Sequence, residues 1–510
     1  MNAALLAHTC VQGKLIVFPE GAGTAALKGT FMNRILVSTG ILFAVACLMV
    51  IPAFGQESAP FQDRILYAPG HFGNSYEVMG EHEMRDYLAE CKGYGFNRYA
   101  DWYDTADCTD LFSGQNHMLL GSTLWQRKKA NFRSAQSLGL PCDLVITPNH
   151  VFAEQCGAAP ATTSDRIFGQ LVCPSIPEGR AIILRNYENL FADLAASGVR
   201  LNALWPAPYD YGGCACAACS PWILTFAKLC REIHEIALKY HPGIEMRFIG
   251  WWWSGEEHRL FADWVDQNAP GWVKSVALHI PYGETDVSDV PLPAGSERQA
   301  FVHIGYADVT QPLDIYGLFG PVAAPERLQH TLDALKAHGC TGLMAYSEGV
   351  FDDVNKALLA GLASGLHRDA SSVLTAYARR FFKADDTTVA EWAAWLRAWG
   401  NPFSMDAEAC GSTLSRLTVS TGDRPWRQRQ WELKLDLLKA HHAVIAVPDW
   451  TPERFSKADA YWKVYEQLER GVWGLGPTRG CIARSRTNLP WYSDWEKHSA
   501  AGAVNSSENN

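Results

Sequence analysis

The strongest constraint in this chain is a rhythm. Between residues 60 and 367, eight short β-like runs alternate with amphipathic helical stretches. The runs are Arg64–Ala68, Asn97–Asp101, Asp143–Thr147, Leu201–Trp205, Glu245–Trp251, Ser275–Ile280, Ala300–Gly305 and Gly342–Tyr346. Most are apolar and rich in Val, Ile, Leu or aromatic residues, as strands covered on both faces in a parallel sheet are. Helical spacing of apolar residues fills the gaps, over Glu83–Lys92, Arg127–Leu138, Arg180–Ser197, Pro221–Tyr240, Glu256–Gln267, Pro325–His338 and Asp353–Ser364. Several of these stop at a glycine just before the next strand (Gly139, Gly198, Gly339), as helix C-caps do. The sixth connection, Pro281–Arg298, is rich in Pro, Gly and acidic residues and reads as a loop. The pattern predicts an α/β fold, a (β/α)8 TIM barrel over residues 60–367. The alternative is a doubly wound open sheet, but no glycine-rich phosphate fingerprint follows the first strand.

From Ala370 onward the β signal stops. Val373–Phe382, Val389–Trp399, Trp431–Val444 and Pro452–Arg470 have helical apolar spacing and predict a helical C-terminal domain over 368–498. Trp392, Trp395 and Trp399 share one helical face, for which core packing is the plain reading. The polar residues 499–510 are expected to form a disordered tail.

At the other end, Arg34 precedes an apolar run from Ile35 to Ile51 that closes on Pro52-Ala53-Phe54-Gly55-Gln56. This is the order of a signal peptide, expected at 32–55 with translation starting at Met32 and residues 1–31 an upstream extension. It implies export to the periplasm or the extracellular space; the alternative is a retained anchor. No later run reaches the ~18 apolar residues of a membrane span, so none is expected to persist after cleavage. The 54 acidic residues outnumber the 44 basic ones, for a net charge of -10. An acidic body is a poor counterion for phosphate backbones, so no nucleic-acid partner is expected.

In a barrel of this kind the chemistry sits on the carboxyl ends of the strands and in the loops that follow. Asp101-Trp102-Tyr103-Asp104 follows the second run, Asn149-His150 the third, and Trp205-Pro-Ala-Pro-Tyr209-Asp210-Tyr211 the fourth. Trp251-Trp252-Trp253 ends the fifth, His279 and Glu284 follow the sixth, and Tyr346-Ser347-Glu348-Gly349 ends the eighth. Carboxylates supply the acid and the base or nucleophile of glycosidic cleavage, and aromatic rings hold sugar faces. Glu348 and Asp210 are the first candidates for catalysis, with Glu284 and Asp104 in reserve. Trp102, Trp205, Trp251, Trp252, Tyr209, His150, His279 and Tyr346 are candidates for substrate binding. Asp352 and Asp353 directly precede a helix, where capping is their plain role. No cofactor is expected for catalysis, because His71, His150, His279 and His303 are isolated and a hydrolytic metal needs a His-rich shell.

The most specific local pattern is Gly212-Gly213-Cys214-Ala-Cys216-Ala-Ala-Cys219. Three thiols within six residues suit a structural zinc site, with Cys173 the favoured fourth ligand and Cys156 the other neighbour. A disulfide such as Cys214 with Cys219 is the alternative in an exported chain. Either way the loop's job is to brace Asp210.

Three segments carry a family resemblance: Pro208-Tyr-Asp210 through Cys219-Ser-Pro-Trp222, Tyr346-Ser-Glu348 through Asn355-Lys, and Ala376-Tyr-Ala-Arg-Arg-Phe-Phe382. Together they resemble exported bacterial glycoside-hydrolase-like barrels, similar in layout to the α-glucuronidase and β-N-acetylhexosaminidase superfamily. The resemblance covers roughly residues 60–480 and implies an acidic barrel backed by a helical domain. The hexosaminidase type carries an adjacent Asp-Glu pair after strand four; here Tyr211 follows Asp210, so the resemblance names no sugar. The expected function is hydrolysis of a poly- or oligosaccharide by carboxylate acid/base chemistry. The rivals are a non-catalytic carbohydrate-binding barrel and a lyase acting on uronic-acid polymers.

Overall fold

The computed structural model describes residues 59–70, 74–103, 119–280, 284–304, 321–347, 349–418, 426–468, 471–472, 489 and 491–507. The expected upstream extension and signal peptide, and the candidates Asp104 and Glu348, lie outside the described residues. Among the described residues no helix is long and apolar enough to cross a membrane.

Eight strands close into one all-parallel barrel in sequence order: β1 (Asp63–Tyr67), β2 (Arg98–Trp102), β3 (Cys142–Ile146), β4 (Ala203–Pro206), β5 (Glu245–Gly250), β6 (Val273–His279), β7 (Glu297–His303) and β8 (Gly342–Tyr346). Closure is made by β8 on β1, in register from Asp63↔Gly342 to Tyr67↔Tyr346. Around the barrel lie α1 (Ser75–Val78), α2 (Glu81–Tyr94), α3 (Leu119–Ser137), α4 (Pro177–Ala196), α5 (Trp222–Tyr240), α6 (Gly255–Asn268), α7 (Pro325–Ala337) and α8 (Asp353–Ala363). Gly198 and Gly339 turn the chain out of α4 and α7 at φ of 75° and 70°, a region that glycine enters without a Cβ clash. The described part of the β6–β7 connection holds no helix, as its composition predicts.

The floor of the barrel is ionic. Asp63 on β1 accepts from Arg247 on β5 (2.6 Å) and from Gln299 on β7 (2.9 Å), and Arg98 on β2 makes a forked pair with Asp143 on β3 (3.0 and 2.7 Å). Because β1 and β5 stand on opposite sides of an eight-stranded barrel, the Arg247–Asp63 contact crosses the lumen. Burial alone would raise the Asp63 carboxyl, but Arg247 and then Arg98 outweigh it and hold it below the usual carboxylate range.

Beyond the barrel the chain is helical: α9 (Ala370–Phe382), α10 (Val389–Ala398), α11 (Ala407–Thr418), α12 (Trp426–Ile445), α13 (Pro452–Leu468) and α14 (Tyr492–Ser507). The Trp392, Trp395 and Trp399 stripe is core. All three are buried, and Trp395 and Trp399 meet Trp431 of α12 with ring centroids 6.0 and 5.3 Å away. Asp353 at the start of α8 docks this layer on the barrel: it accepts from the Tyr377 hydroxyl of α9 (2.8 Å) and from Arg427 of α12, which also reaches Glu90 on α2. Residues Glu57–Asn510 form one compact unit. Helix α14 runs to Ser507, into the segment expected to be disordered; its Ala-Ala-Gly-Ala stretch is mostly a good helix former.

Candidate functional site at the barrel mouth

Side chains of a barrel strand alternate between lumen and helix layer, so the last inward residue of each strand meets the carboxyl-end mouth. Here those positions are largely aromatic. Trp251 is a hub, with ring centroids 4.3 Å from His279, 5.2 Å from His303, 5.3 Å from Phe301 and 5.7 Å from Trp252. Tyr346 continues the wall, 5.3 Å from His303 and 5.4 Å from Tyr67. Over β2–β4 a second cluster forms: Trp102 stacks on His150 at 6.3 Å and 19°, and Tyr211 lies 5.7 Å from both.

Two histidines that look isolated in sequence are thus neighbours at the mouth, with ring centroids 5.7 Å apart. Burial pulls the His279 imidazole down to about 4. Burial, then His279 and Arg327, hold His303 well below its ordinary value. Both rings are neutral at pH 7, and the Nε2 of His279 is buried with no hydrogen-bond partner among the described residues.

The backbone is unusual at the same rim. Four non-glycine residues among those described have positive φ, and three stand here: Asp210 (62°), Tyr211 (70°) and Trp252 (56°). Each costs about 1–3 kcal/mol and persists only where the surroundings impose it. The imposing contacts are visible. Glu257 of α6 accepts from the Tyr209 hydroxyl, binds Arg166 of the β3–α4 loop through both oxygens (3.1 and 3.2 Å), and caps its own helix through the Ser254 N–H (2.7 Å). Arg166 lies over the Tyr209 ring at 4.2 Å and donates to the Trp252 carbonyl at 2.6 Å. Burial would raise the Glu257 carboxyl, but Arg166, the Ser254 N–H and the Tyr209 hydroxyl hold it below its ordinary value. One carboxylate therefore ties the loops after β3, β4 and β5. The Ser254-Gly-Glu-Glu257 capping pattern was the sequence signal for it.

The loop after β4 is also anchored by cysteines. The Sγ atoms of Cys173, Cys214, Cys216 and Cys219 all lie within 4.8 Å of one another, with Cys173 3.7 Å from Cys216 and 3.6 Å from Cys219. This is the only such group of possible metal ligands among the described residues. Asn149 at the end of β3 brackets the same turn, accepting from the Gly213 N–H (2.9 Å) and donating to the carbonyls of Gly213 (2.7 Å) and Val172 (3.0 Å).

Glu348 lies outside the described residues, but both of its chain neighbours are fixed. The Tyr76 hydroxyl lies 2.6 Å from Ser347 Oγ and 2.6 Å from the Gly349 carbonyl, which also accepts from Lys356 Nζ at 2.8 Å. Lys356 pairs with Asp352 in the same buried pocket. Asp352 makes no capping bond to its helix; it is this lysine's counterion.

The sequence-derived candidates divide accordingly. Trp251, Trp252, His279 and Tyr346 fall in one aromatic cluster at the mouth and Trp102 and His150 in the second, and Asp210 is half-buried. Trp205 does not join them. It is 0% exposed, its indole N–H donates to Asp143 (3.1 Å), and Arg247 lies 5.5 Å over its ring, so it is part of the barrel's ionic interior. Tyr209 is buried, its hydroxyl bonded to Glu257 and its ring under Arg166. Glu284 is exposed on the β6–β7 loop, where its backbone carbonyl accepts from Arg327 of α7.

No family model matches the chain, and no curated protein matches it. Solved structures that resemble it include the catalytic domain of β-amylase from Paenibacillus polymyxa (9% identity, TM-score 0.34, covering 59% of this chain and 96% of that one). Others are a D-allulose 3-epimerase from Methylomonas sp. (13%, 0.32, 61% and 98%) and GH5_18 from Streptomyces cattleya in complex with GlcNAc (12%, 0.36, 70% and 93%). Likenesses this distant bear on neither substrate nor residue roles.

Proposed function

We propose that the protein is a glycoside hydrolase that cleaves a poly- or oligosaccharide at the mouth of its barrel. The observation that carries this reading is the aromatic wall of Tyr67, Trp102, Trp251, Trp252, Tyr211 and Tyr346, interrupted by neutral imidazoles. Flat rings suit the apolar faces of pyranoses, and the unpartnered Nε2 of His279 suits a sugar hydroxyl. In this reading Glu348 and Asp210 are the acid and its partner. The imposed backbone at Asp210, and the buried hydrogen bonds of Ser347 and Gly349, support this reading. Their separation decides the outcome: ~5–5.5 Å gives retention of anomeric configuration and ~6.5–9.5 Å inversion.

A panel of polysaccharides and aryl glycosides, with products read by mass, tests the activity. On a substrate so found, Glu348→Gln is expected to lower kcat at least about a hundredfold. A near-normal rate removes Glu348 from the mechanism. One observation favours a second reading, a carbohydrate-binding barrel without turnover: the lumen-facing acids Asp63 and Asp143 belong to the floor, at the far end from the mouth. Saccharide binding by the unaltered protein with no product from any panel member selects that reading.

A further inference from the structure

We infer that Cys173, Cys214, Cys216 and Cys219 hold one tetrahedral zinc ion, which staples the β3–α4 loop to the β4–α5 loop beside Asp210. A zinc ion bound to four thiolates at ~2.3 Å sets its sulfurs about 3.8 Å apart. The Cys173 sulfur lies 3.7 and 3.6 Å from two others, and all four fall within 4.8 Å of one another. A disulfide joins sulfurs at ~2.05 Å and is exclusive to one pair. Here Cys173 stands equally close to two partners, the arrangement of a shared centre.

The surroundings suit a thiolate cluster. Four thiolates around a divalent ion carry a net double negative charge, and binding releases the thiol protons to solvent. The Thr162 N–H donates to Cys214 Sγ (3.4 Å), the Cys216 N–H bonds the same sulfur, and Ser175 Oγ lies 3.0 Å from Cys219 Sγ. Such contacts fix ligand orientation and offset the charge. Four protein sulfurs leave no open position, so the site is structural and does not activate water. Its mechanical role follows from what it joins. Gly213 packs on Ile167, Ala215 N–H donates to the Thr162 carbonyl (2.8 Å), and Tyr211 packs on Gly169, so the two loops interleave directly beneath the strained Asp210–Tyr211 turn.

The test uses the full chain, purified without chelator, and does not depend on hydrolase activity. Metal analysis is expected to find about one zinc per chain, retained on desalting and lost in Cys216→Ser. Cobalt exchanged into the site is expected to give the visible absorption of a tetrahedral thiolate complex. Cys230→Ser, altering a buried cysteine of α5 outside the cluster, keeps the metal. Stripping the metal is expected to speed proteolytic cleavage within residues 151–221 by roughly tenfold. Intact mass showing disulfides among these four cysteines with no zinc overturns the inference, as does zinc content unchanged in both Cys173→Ser and Cys216→Ser. If Cys216→Ser does not fold, the metal and thiol content of the unaltered chain decides by itself.

Discussion

Lys356→Met tests the buried frame that holds Ser347 and Gly349. Lys356 is 0% exposed and its partner Asp352 1%. The ammonium donates to Asp352 and to the Gly349 carbonyl, with the rings of Tyr76 and Tyr87 each 5.5 Å from the nitrogen. Burial opposes the charged amine, yet Asp352 and the surrounding groups hold its pKa above the ordinary lysine value. Burial in turn raises the Asp352 carboxyl in spite of Lys356. Methionine fills nearly the same space, so the change removes charge and leaves little cavity. What remains is a buried carboxylate with no cation, a loss of about 3–5 kcal/mol. The Gly349 carbonyl keeps its Tyr76 donor, so it adds little. Adding Asp352→Leu removes the stranded charge and is expected to return stability to within about 1 kcal/mol of the parent. Urea unfolding of the full chain, followed by tryptophan fluorescence, measures both. A single variant that loses less than about 1 kcal/mol, or a double variant no more stable than the single, refutes the argument that the two charges are buried as a dependent pair. The single variant is also expected to lower kcat with little change in KM, because the ammonium acts on the chain beside Glu348 and not on the substrate.

Lys434 of α12 is fully buried, donates to the Pro321 carbonyl, and is pulled down to about 7 by burial, against the opposing pull of Asp353 and Asp352. Its unfolded value is 10.5, so unfolding takes up a proton between those limits and stability rises with pH from about 7 to 10.5. Lys434→Met is expected to flatten that rise and to be more stable at pH 6 by up to about 5 kcal/mol, less about 1 for the lost hydrogen bond; urea midpoints from pH 6 to 10 check it. Glu257 is held below its ordinary 4.5, so its contribution is present above that pH and lost as the pH falls through the lower folded value. Since Arg166 is 44% exposed, Glu257→Gln is expected to cost only about 1 kcal/mol at pH 7 and progressively less as the pH falls below 4.5, read by thermal melts across that range.

All eight strands were legible because each is a short apolar run closed by turn chemistry, and their alternation with helices leaves few topologies. Which aromatic residues reach the mouth was less legible, and Trp205 shows why. Trp102 and Trp205 are both in register with Val145, so alternation assigns both to the lumen. The tilt of the strands lowers one into the ionic interior and leaves the other at the rim, and tilt leaves no mark in a single strand's sequence. The engagement of Tyr209 is not legible for another reason: its partner Glu257 lies 48 residues away. Asp352 reads as a cap in sequence because it precedes a helix, although Lys356 four residues on is the better clue. Three of the four clustered cysteines are legible because they fall within six residues, and the structure selects Cys173 over Cys156 as the fourth member.

The ionic floor has a bearing on how this polypeptide can be divided. A piece ending after β4 would hold the acids Asp63 and Asp143 with only Arg98 to neutralise them, while in the remainder Arg247 would lose Asp63 and keep only Glu245 of its own strand. The first half does not balance its own charge. Fragments cut at that midpoint are therefore expected to need each other, since the acid of the first strand meets its arginine only on the fifth.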